Sequence, residues 1–290
     1  MHLEDNLFFL EKDFKSNNYE HSGYKYFQVF DNKKRDIHKA NIRDRVVHQI
    51  IFDYLTKIFE PAFISDSYSS RIEKGQFKAV SCLKYFIKLS SCGRKQCYVL
   101  KCDIKKYFDN IDQKILLSVI KSKVSHHCIF SIIEKIVYSY HSKCGLQKGI
   151  PLGNITSQIF ANIYLNILDQ YIKKELKCRF FVRYNDDFII ISNSKEKLNE
   201  IKDNIVNFVR QKLLLEIPNE KISIRKACWG IDFLGFVVLP NCVLIRDKTK
   251  NKMYLNISQK NITSYLGLLK HCNSYNLKRK ILSMDKISRF

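Results

Sequence analysis

Two adjacent carboxylates lie at the centre of a segment whose composition favours a β-hairpin. Residues 179–192 contain two runs of β-branched and aromatic residues, which Asn185, Asp186 and Asp187 separate. Like charges at a hairpin tip repel each other unless cations neutralise them, and Mg²⁺ is the expected cation because it prefers oxygen ligands. An Asx turn on a surface hairpin is the alternative for an isolated Asp-Asp pair, so other acidic residues of the chain become decisive.

A third carboxylate, Asp103, ends a mostly apolar strand that we predict over residues 97–103. Two-metal nucleotidyl transfer needs carboxylates from different strands, so a distant aspartate has to join the Asp186–Asp187 pair. One ion activates an attacking hydroxyl, and the other stabilises the leaving pyrophosphate. The spacing therefore predicts that Asp103, Asp186 and Asp187 hold two Mg²⁺ ions, with Mn²⁺ as an alternative.

The charge balance indicates a polyanionic partner. The 290-residue chain carries 50 Lys and Arg against 28 Asp and Glu, a formal charge of +22. Nucleic acid is the first candidate and an anionic membrane surface is the second. No apolar run reaches the ~18 residues that a membrane span needs, and the N-terminus lacks a signal-peptide pattern. We therefore predict a cytoplasmic protein without a membrane partner, built from two or three subdomains around a shared core.

Hydrophobic periodicity gives a coarse order of elements. A basic hairpin tip is expected over residues 31–35, and short strands near 222–224 and 233–238. Asn154 is a suitable N-cap for a long helix, and Asn193, with Glu196 three residues later, predicts the start of a further helix that carries apolar residues from Leu198 to Val209. From Arg246 onward, 11 Lys and Arg against 2 Asp predict one or two basic helices along a phosphate backbone, with a solvated tail as the alternative. The remaining predicted helices cover residues 43–59, 79–89, 113–124, 129–140 and 155–176.

The ten cysteines contain no C-x-x-C pair. We expect free, mostly buried thiols in a reducing compartment, because neither a zinc site nor a disulfide framework is indicated by their spacing.

Five short blocks resemble, in the same order, those of bacterial reverse transcriptases of the group II type. The blocks are R-D-R-V-V-H-Q at 43–49, S-Y-S-S-R at 67–71, D-I-K-K-Y-F at 103–108, Y-N-D-D at 184–187 and F-L-G-F at 233–236. The third resembles motif A of that family, and the fourth resembles its Y-x-D-D motif C. Asn185 departs from the family pattern, in which a small apolar residue or Met is usual at this position.

The resemblance implies an α+β fold: a right-hand polymerase with fingers, a palm of antiparallel sheet and packed helices, and a short helical thumb. It also implies an RNA template, a DNA or RNA primer and dNTPs as partners, and a bacterial or phage-encoded protein. The implied segments are 1–95 for the N-terminal fingers, 96–112 for the palm with motif A, 113–148 for a helical insertion, 149–240 for the remaining palm and 241–290 for the thumb.

The family motifs also imply roles for residues around the three aspartates. The backbone carbonyl of Ile104 would complete a metal coordination shell, and Lys221 would protonate the pyrophosphate unless it is a solvated loop lysine. Phe108 would lie under the sugar and collide with a ribose 2′-hydroxyl, which favours dNTPs and is compatible with partial core packing. The other implied contacts are to the dNTP by Lys33, Lys34, Arg35, Arg71 and Gln158, and to the template or primer by Gly153, Ser157, Tyr184 and Asn185.

The block over residues 149–158 distinguishes subfamilies. It reads G-I-P-L-G-N-I-T-S-Q, similar to the L-G-x-x-x-S-Q of diversity-generating retroelement reverse transcriptases, whereas most intron and retron enzymes have Q-G-x-x-x-S-P. In the retroelement family, the position of Gln158 is linked to misincorporation opposite template adenines. The resemblance implies copying of a template-repeat RNA into mutagenised cDNA, with a small basic accessory variability protein and a structured retroelement RNA as partners.

Two alternatives stay open. The chain could be another compact bacterial reverse transcriptase, of retron, group II intron-like or antiviral defence type, which neighbouring genes would distinguish. It could also be a catalytically silent RNA-binding subunit, although the intact Asp103, Asp186 and Asp187 argue against that role.

Overall fold

The computed structural model describes residues 3–30, 34–91, 96–258 and 261–287, and the chain divides into two compact units. The first unit comprises Met1–Ser65, Ile104–Lys177 and Asn204–Pro218, and the second comprises Asp66–Asp103, Cys178–Asp203 and Asn219–Phe290. Each unit is therefore assembled from three separate stretches of sequence. The division into fingers, palm and thumb segments stays a prediction.

Helices and strands alternate irregularly along the described residues. The helices are α1 (Leu3–Lys15), α2 (Ile42–Phe59), α3 (Gln76–Ser91), α4 (Tyr107–Asn110), α5 (Gln113–Lys121), α6 (His127–Tyr138), α7 (Ile155–Gln170), α8 (Lys195–Lys212), α9 (Asp247–Leu255), α10 (Ile262–Leu269) and α11 (Tyr275–Ile287). The strands are β1 (Tyr24–Phe30), β2 (Lys34–Ala40), β3 (Tyr98–Asp103), β4 (Phe181–Tyr184), β5 (Asp187–Ser192), β6 (Ile222–Lys226), β7 (Ile231–Phe233), β8 (Phe236–Val238) and β9 (Val243–Ile245). A π-helical turn, Tyr171–Glu175, continues α7.

In the first unit, β1 and β2 form an antiparallel hairpin, and α2 and α5 pack on α7. Helix α2 buries Val47, Ile51 and Leu55, which lie four residues apart and so share one helical face. Helix α5 begins after Asp112, whose side chain accepts a hydrogen bond from the Ile115 amide at 3.0 Å. The helices predicted from apolar periodicity in this unit are confirmed, with ends that differ by a few residues.

The second unit is built on a four-stranded antiparallel sheet in the order β4-β5-β3-β6. Helix α3 packs against β4 and β5 and buries Val80, Leu83 and Ile87. Full burial of each such side chain contributes about 1.5–3 kcal/mol to folding. The three-stranded sheet β7-β8-β9 and helices α9 to α11 share the same hydrophobic core. This core holds β3 and β5, the two strands that carry Asp103 and Asp187.

Some elements differ from the sequence predictions. Helix α1 was not predicted, because its large apolar residues Phe8 and Phe9 are exposed and do not form a buried stripe. Three helices follow Arg246 within the residues described after it, where one or two were predicted. The strand expected over residues 233–238 is a hairpin, because Leu234 and Gly235 adopt positive φ angles of 51° and 84°.

Both predicted asparagine caps lie at helix starts, but their side chains bind elsewhere. Asn154 precedes α7, yet its side chain bonds two backbone groups of β2 at 2.8 and 3.0 Å. Before α8, the cap is Ser194, whose hydroxyl accepts from the Lys197 amide at 3.0 Å. Asn193 instead accepts a hydrogen bond from Ser90 at 2.8 Å. Tertiary partners therefore replace local capping at these two positions.

The cysteines are less buried than their apolar neighbours suggested. Nine lie in the described residues, all as free thiols, which agrees with the absence of a disulfide framework there. Only three are buried, so the expectation of mostly buried thiols is wrong. The buried ones are Cys97, Cys102 and Cys178, and the exposed ones are Cys128, Cys144 and Cys228.

Within the described ranges, none of the helices has the length and apolar character required to span a bilayer.

Gly149 lies in the loop before α7, where the backbone is packed too closely for a side chain. Its φ is +87°, and a Cβ there would lie 2.6 Å from Ser142 Cβ and 3.1 Å from the Asp109 carbonyl oxygen. We expect Gly149→Ala to lower the free energy of unfolding by about 3 kcal/mol, because positive φ and steric overlap both oppose alanine. Gly267→Ala in α10, where a Cβ meets no atom within 4 Å, should be neutral or slightly stabilising. Urea unfolding compares the two, and equal stabilities would contradict the prediction.

Candidate active site

The acidic residues meet at one end of the four-stranded sheet. Strand β3 ends at Asp103, and the antiparallel register places it opposite Asp187, the first residue of β5. Asp186 directly precedes Asp187, in the turn that joins β4 to β5. Asn185, the other turn residue, has a φ of +53°, a left-handed conformation that Asn adopts more readily than most residues. We call residues 184–187 the catalytic turn, after the role that the sequence predicts for its two aspartates.

Two of these carboxylates form ion pairs with lysine side chains. Lys101 Nζ lies 3.1 Å from Asp187 Oδ2, and Lys221 donates a hydrogen bond to Asp103 Oδ1. The structure thus brings Lys221, a residue singled out from the sequence, to Asp103. Sequence reasoning missed the contact of Lys101. A signal was available, because Lys101 precedes Asp103 by two residues in a strand and must therefore share its face.

Lys101 is itself held in place by β7. Its Nζ donates a hydrogen bond to the Asp232 carbonyl oxygen at 2.7 Å and lies 6.0 Å from the centroid of the Phe233 ring. Asp232 in turn accepts two hydrogen bonds from Arg246, at 2.8 and 3.0 Å. The ammonium group beside Asp187 is therefore fixed by contacts from the neighbouring sheet.

Asp187 is the most perturbed of the three acids. Burial raises the pKa of its carboxyl to about 6; Lys101 lowers that pKa, and the charges of Asp103 and Asp186 raise it. The Oδ1 atom of Asp187 is buried and accepts no hydrogen bond from any described residue. A buried acceptor in this state is costly, so the site favours a positively charged ligand at Oδ1.

The donors at this sheet end suit a hard divalent cation. Carboxylate oxygens are the ligands that Mg²⁺ and Mn²⁺ prefer, and Asp187 Oδ1 is a buried oxygen that needs a positive partner. In the part of the chain that the structure describes, no three His, Cys, Asp or Glu side chains form a ready-made metal cluster. Lys101 and Lys221 instead supply the positive charge beside Asp187 and Asp103. The residue types fit a metal ion.

A buried arginine supports the catalytic turn. Arg183, on β4, is 0% exposed and donates from Nη1 to the Asn185 carbonyl oxygen at 3.2 Å and from Nη2 to the Ser67 hydroxyl at 3.0 Å. Its backbone also pairs with residues 66 and 68, at 3.0 and 2.9 Å. The loop over residues 66–75, which we call the serine loop, is thereby joined to β4 next to the turn.

The serine loop also reaches the turn through a side chain. The Ser69 hydroxyl donates to Asn185 Oδ1 at 2.6 Å, and Ser69 is 2% exposed. Arg71, a predicted dNTP contact, donates to the Ser67 carbonyl oxygen at 2.9 Å, within its own loop. Tyr184 packs against the core of the second unit. Ser69 lies in the S-Y-S-S-R block, but the block implied no contact for it, because only a folded loop shows which residue its hydroxyl meets.

The predicted triphosphate contacts lie in the first unit. Lys34 and Arg35 are exposed on β2, whereas Lys33 lies outside the described residues. Neighbouring strand residues point to opposite faces, so Lys34 and Arg35 cannot face one ligand together. Arg35 shares its face with Ile37, whose Cγ2 would lie 2.7 Å from a Cβ placed on Gly153. Of Lys34 and Arg35, it is therefore Arg35 that lies on the face of β2 approached by the loop at Gly153.

Gln158 is exposed on the first turn of α7. It lines a cavity of about 440 Å³ with Arg45, His48 and Gln49 of α2 and with the turn at Gly153. A cavity with this lining offers amide and guanidinium groups that can hydrogen-bond a nucleobase edge. The sequence located Gln158 but not its neighbours on α2.

Three other predicted residues of the first unit are more enclosed. Ser157 is buried, and its hydroxyl donates to the Pro151 carbonyl oxygen at 2.6 Å. Ile104 is buried, and Phe108 is half-buried beside Tyr107. The hydroxyl of Ser157 is thus engaged within its own loop, and the ligand contacts of all three residues stay predictions.

A sequence model of the reverse transcriptase (RNA-dependent DNA polymerase) family matches residues 24–238, more than two thirds of the chain. The chain belongs to this family. Among curated relatives, the protein YkfC of Escherichia coli K12 is 24% identical over 247 residues, which cover 72% of this chain and 64% of that protein. The group II intron-encoded protein LtrA of Lactococcus lactis is 24% identical over 274 residues, with 70% and 44% covered. The chain spans less than two thirds of the length of both relatives.

Solved structures give the fold of this reverse transcriptase family member. Telomerase from Candida albicans, in complex with a telomeric RNA fragment, matches with a TM-score of 0.60 at 14% identity, over 87% of this chain and 51% of that one. Apo telomerase from Candida tropicalis, truncated of its C-terminal domain, matches with a TM-score of 0.55 at 16% identity, over 83% and 60%. At such low sequence identity, the structural matches show the fold alone. They confirm the predicted α+β right-hand polymerase fold.

Proposed function

We propose that this chain is an RNA-directed DNA polymerase that extends a DNA or RNA primer with dNTPs on an RNA template. The observation that carries the proposal is the register of β3 and β5, which sets Asp103 opposite Asp187, the residue that follows Asp186, in a reverse transcriptase family member. The net charge of +22 supports a nucleic-acid substrate. A cytoplasmic, bacterial or phage-encoded enzyme without a membrane partner is part of the same proposal.

The three aspartates and the Ile104 carbonyl are the groups that would hold the metal ions. If held there, two Mg²⁺ ions would supply activation of the primer 3′-hydroxyl and neutralisation of the charge on the pyrophosphate. The protein keeps Asp187 ionised near neutral pH, because Lys101 opposes the raised pKa of this partly buried carboxyl. Lys221, beside Asp103, can transfer a proton to the leaving pyrophosphate oxygen. Arg35 is the proposed fingers contact to the triphosphate.

Primer extension on an RNA template with Mg²⁺ tests this proposal. Asp186→Asn should reduce dNTP incorporation by about 1,000-fold or more, because a carboxylate ligand is lost. Asp203→Asn, which removes an exposed carboxylate on α8, is the matched control and should retain wild-type activity. Equal incorporation by the Asp186 variant and the wild type would overturn the enzyme assignment in favour of a silent RNA-binding subunit.

We further propose that the enzyme belongs to a diversity-generating retroelement and copies a template-repeat RNA into mutagenised cDNA. The block at residues 149–158 supports this, and so does the exposed Gln158 in a polar cavity with Arg45 and Gln49. An accessory variability protein and a structured retroelement RNA are the proposed partners. The fingers, palm and thumb segments given by the motif order belong to the same proposal.

Sequencing of the cDNA products tests the retroelement assignment. Wild type should misincorporate selectively opposite template adenines, and Gln158→Pro should reduce that selectivity, since proline removes an amide and restrains the backbone. Indistinguishable adenine error rates would remove the role of Gln158. If the DNA that flanks the gene contains no pair of nearly identical repeats, a retron, intron-like or defence enzyme is favoured instead.

Phe108 gives a prediction about sugar selectivity. Phe108→Ala should increase the ratio of kcat/KM for GTP to that for dGTP by about 100-fold, because the ring no longer excludes a 2′-hydroxyl. Tyr107→Phe, which keeps both adjacent rings, should leave this ratio unchanged. Single-nucleotide incorporation opposite template cytosine is the measurement. An unchanged ratio in Phe108→Ala would mean that this side chain serves only packing.

A further inference from the structure

The catalytic turn is held at two atoms of one residue. Arg183 donates to the backbone carbonyl of Asn185 at 3.2 Å, and Ser69 donates to its side-chain oxygen at 2.6 Å. Both donors are almost fully buried. Arg183 also bonds the Ser67 hydroxyl, so the serine loop contributes to both attachments. Asn185 therefore links this loop to the residue that directly precedes Asp186.

The turn needs such support because its conformation and its charges both oppose it. Asn185 has a φ of +53°, which is less favourable for residues with a Cβ than the usual regions. Asp186 and Asp187 carry like charges next to each other, Asp103 adds a third opposite Asp187, and the lysines beside Asp103 and Asp187 offset only part of this repulsion. An unrestrained turn would relax by moving these carboxylates apart. Catalysis by positioned ions does not tolerate such movement, since a 1 Å displacement can cost about 100-fold in rate.

We propose that Ser69 and Asn185 form a positioning pair that fixes the Asp186 carboxylate by locking the catalytic turn to the serine loop. The proposal rests on the proposed polymerase function, and it assigns to Ser69 and Asn185 a role that the family motifs do not. The pair acts through the backbone of the turn and touches no reacting atom. The departure of Asn185 from the usual small apolar residue is then explained, because an apolar side chain has no oxygen to accept the Ser69 hydrogen bond.

Hydrogen–deuterium exchange on the metal-free protein tests the pair without any reaction. Ser69→Ala should increase exchange of the backbone amides at residues 185–187 by about tenfold, which corresponds to the loss of one net hydrogen bond. Ser69→Thr keeps the hydroxyl and should restore protection. Ser70→Ala is the matched control, because Ser70 is exposed and its hydroxyl lies 3.3 Å from Ser69 and not at the turn. Unchanged exchange in Ser69→Ala would overturn the proposal.

Steady-state kinetics supply the second readout. Ser69→Ala should lower kcat by about 10- to 100-fold with little change in KM for dNTP, because alignment and not binding is lost. Asn185→Gly tolerates the positive φ and so retains the fold, yet it should show the same loss. The double variant should be no worse than either single variant, since both remove one interaction. Additive losses would overturn the pairing.

The two experiments separate this inference from the polymerase assignment. A wild-type protein without polymerase activity, together with faster amide exchange in Ser69→Ala, would remove the proposed function and leave the structural lock in place. An active wild type whose kcat is insensitive to Ser69→Ala and Asn185→Gly would retain the polymerase and remove the positioning pair.

Discussion

Asp187→Asn should abolish primer extension and, at the same time, stabilise the metal-free protein at neutral pH. Activity should fall by about 1,000-fold or more, because Asp187 is one of the three carboxylates proposed to hold the metal ions. Stability should rise because the wild type partly buries an ionised carboxyl, with its Oδ1 atom out of contact with solvent, and the asparagine variant has no such charge. A substitution that lowers activity and raises stability is expected where a functional group destabilises the folded protein.

The pH dependence of this stabilisation follows from the raised pKa of Asp187. The folded pKa is about 6, above the ordinary 3.8, so the wild type loses stability as the pH rises from about 4 through 6. A rise of the pKa by about 2 corresponds to a loss of at most about 3 kcal/mol in the free energy of unfolding. Asn also removes the partner of Lys101, so the net gain above pH 7 should be about 1–2 kcal/mol and should vanish near pH 4.

Urea unfolding at several pH values, in EDTA, measures this gain, and primer extension measures the loss. Asp203→Asn should change neither quantity by much, because its carboxylate is exposed. An Asp187→Asn protein that is less stable than the wild type at pH 8 would contradict the prediction. It would mean that the contact with Lys101 outweighs the cost of burial.

Arg183→Met should produce the largest loss of stability among single substitutions near the site. Arg183 is fully buried and bridges β4, the catalytic turn and the serine loop, so its removal leaves buried polar partners without a donor. We expect the free energy of unfolding to fall by about 3–5 kcal/mol. Arg183→Lys should recover only part of this, because one ammonium group cannot reach both acceptors as a guanidinium does.

Arg179→Met is the matched control for this prediction. Arg179 is exposed just before β4, and its guanidinium lies 5.2 Å from the Phe180 ring centroid. The same substitution there should cost less than about 1 kcal/mol. Similar unfolding midpoints for the two variants in urea would show that Arg183 supports the turn less than its contacts indicate.

The sequence predicted the site as far as strands and spacing determine it. Two runs of β-branched and aromatic residues on either side of Asn-Asp-Asp located the hairpin at residues 179–192, and an apolar strand that ends in Asp103 indicated the third acid. Contacts across the sheet were not predictable in the same way. The partner of Lys101 depends on the register of β3 and β5, and the partner of Ser69 depends on how a loop folds onto β4. Neither property is encoded in local periodicity.

Local signals also failed where tertiary contacts compete with them. Asn154 and Asn193 have the residue type of helix caps, but their side chains form hydrogen bonds with β2 and with Ser90, respectively. The described part of the basic segment after Arg246 forms three helices, because apolar residues such as Met253, Leu269 and Ile281 join the core of the second unit. Composition alone does not reveal that a Lys-rich segment has a hydrophobic surface on which to pack.

The ammonium groups of Lys101 and Lys221 have a practical consequence for handling this protein. Since each already balances one carboxylate, the sheet end does not depend on divalent ions to hold together. Purification in a chelating buffer should therefore yield folded, storable material that regains turnover as soon as magnesium is added back. The metal ions would then be needed for the reaction and not for the stability of the fold.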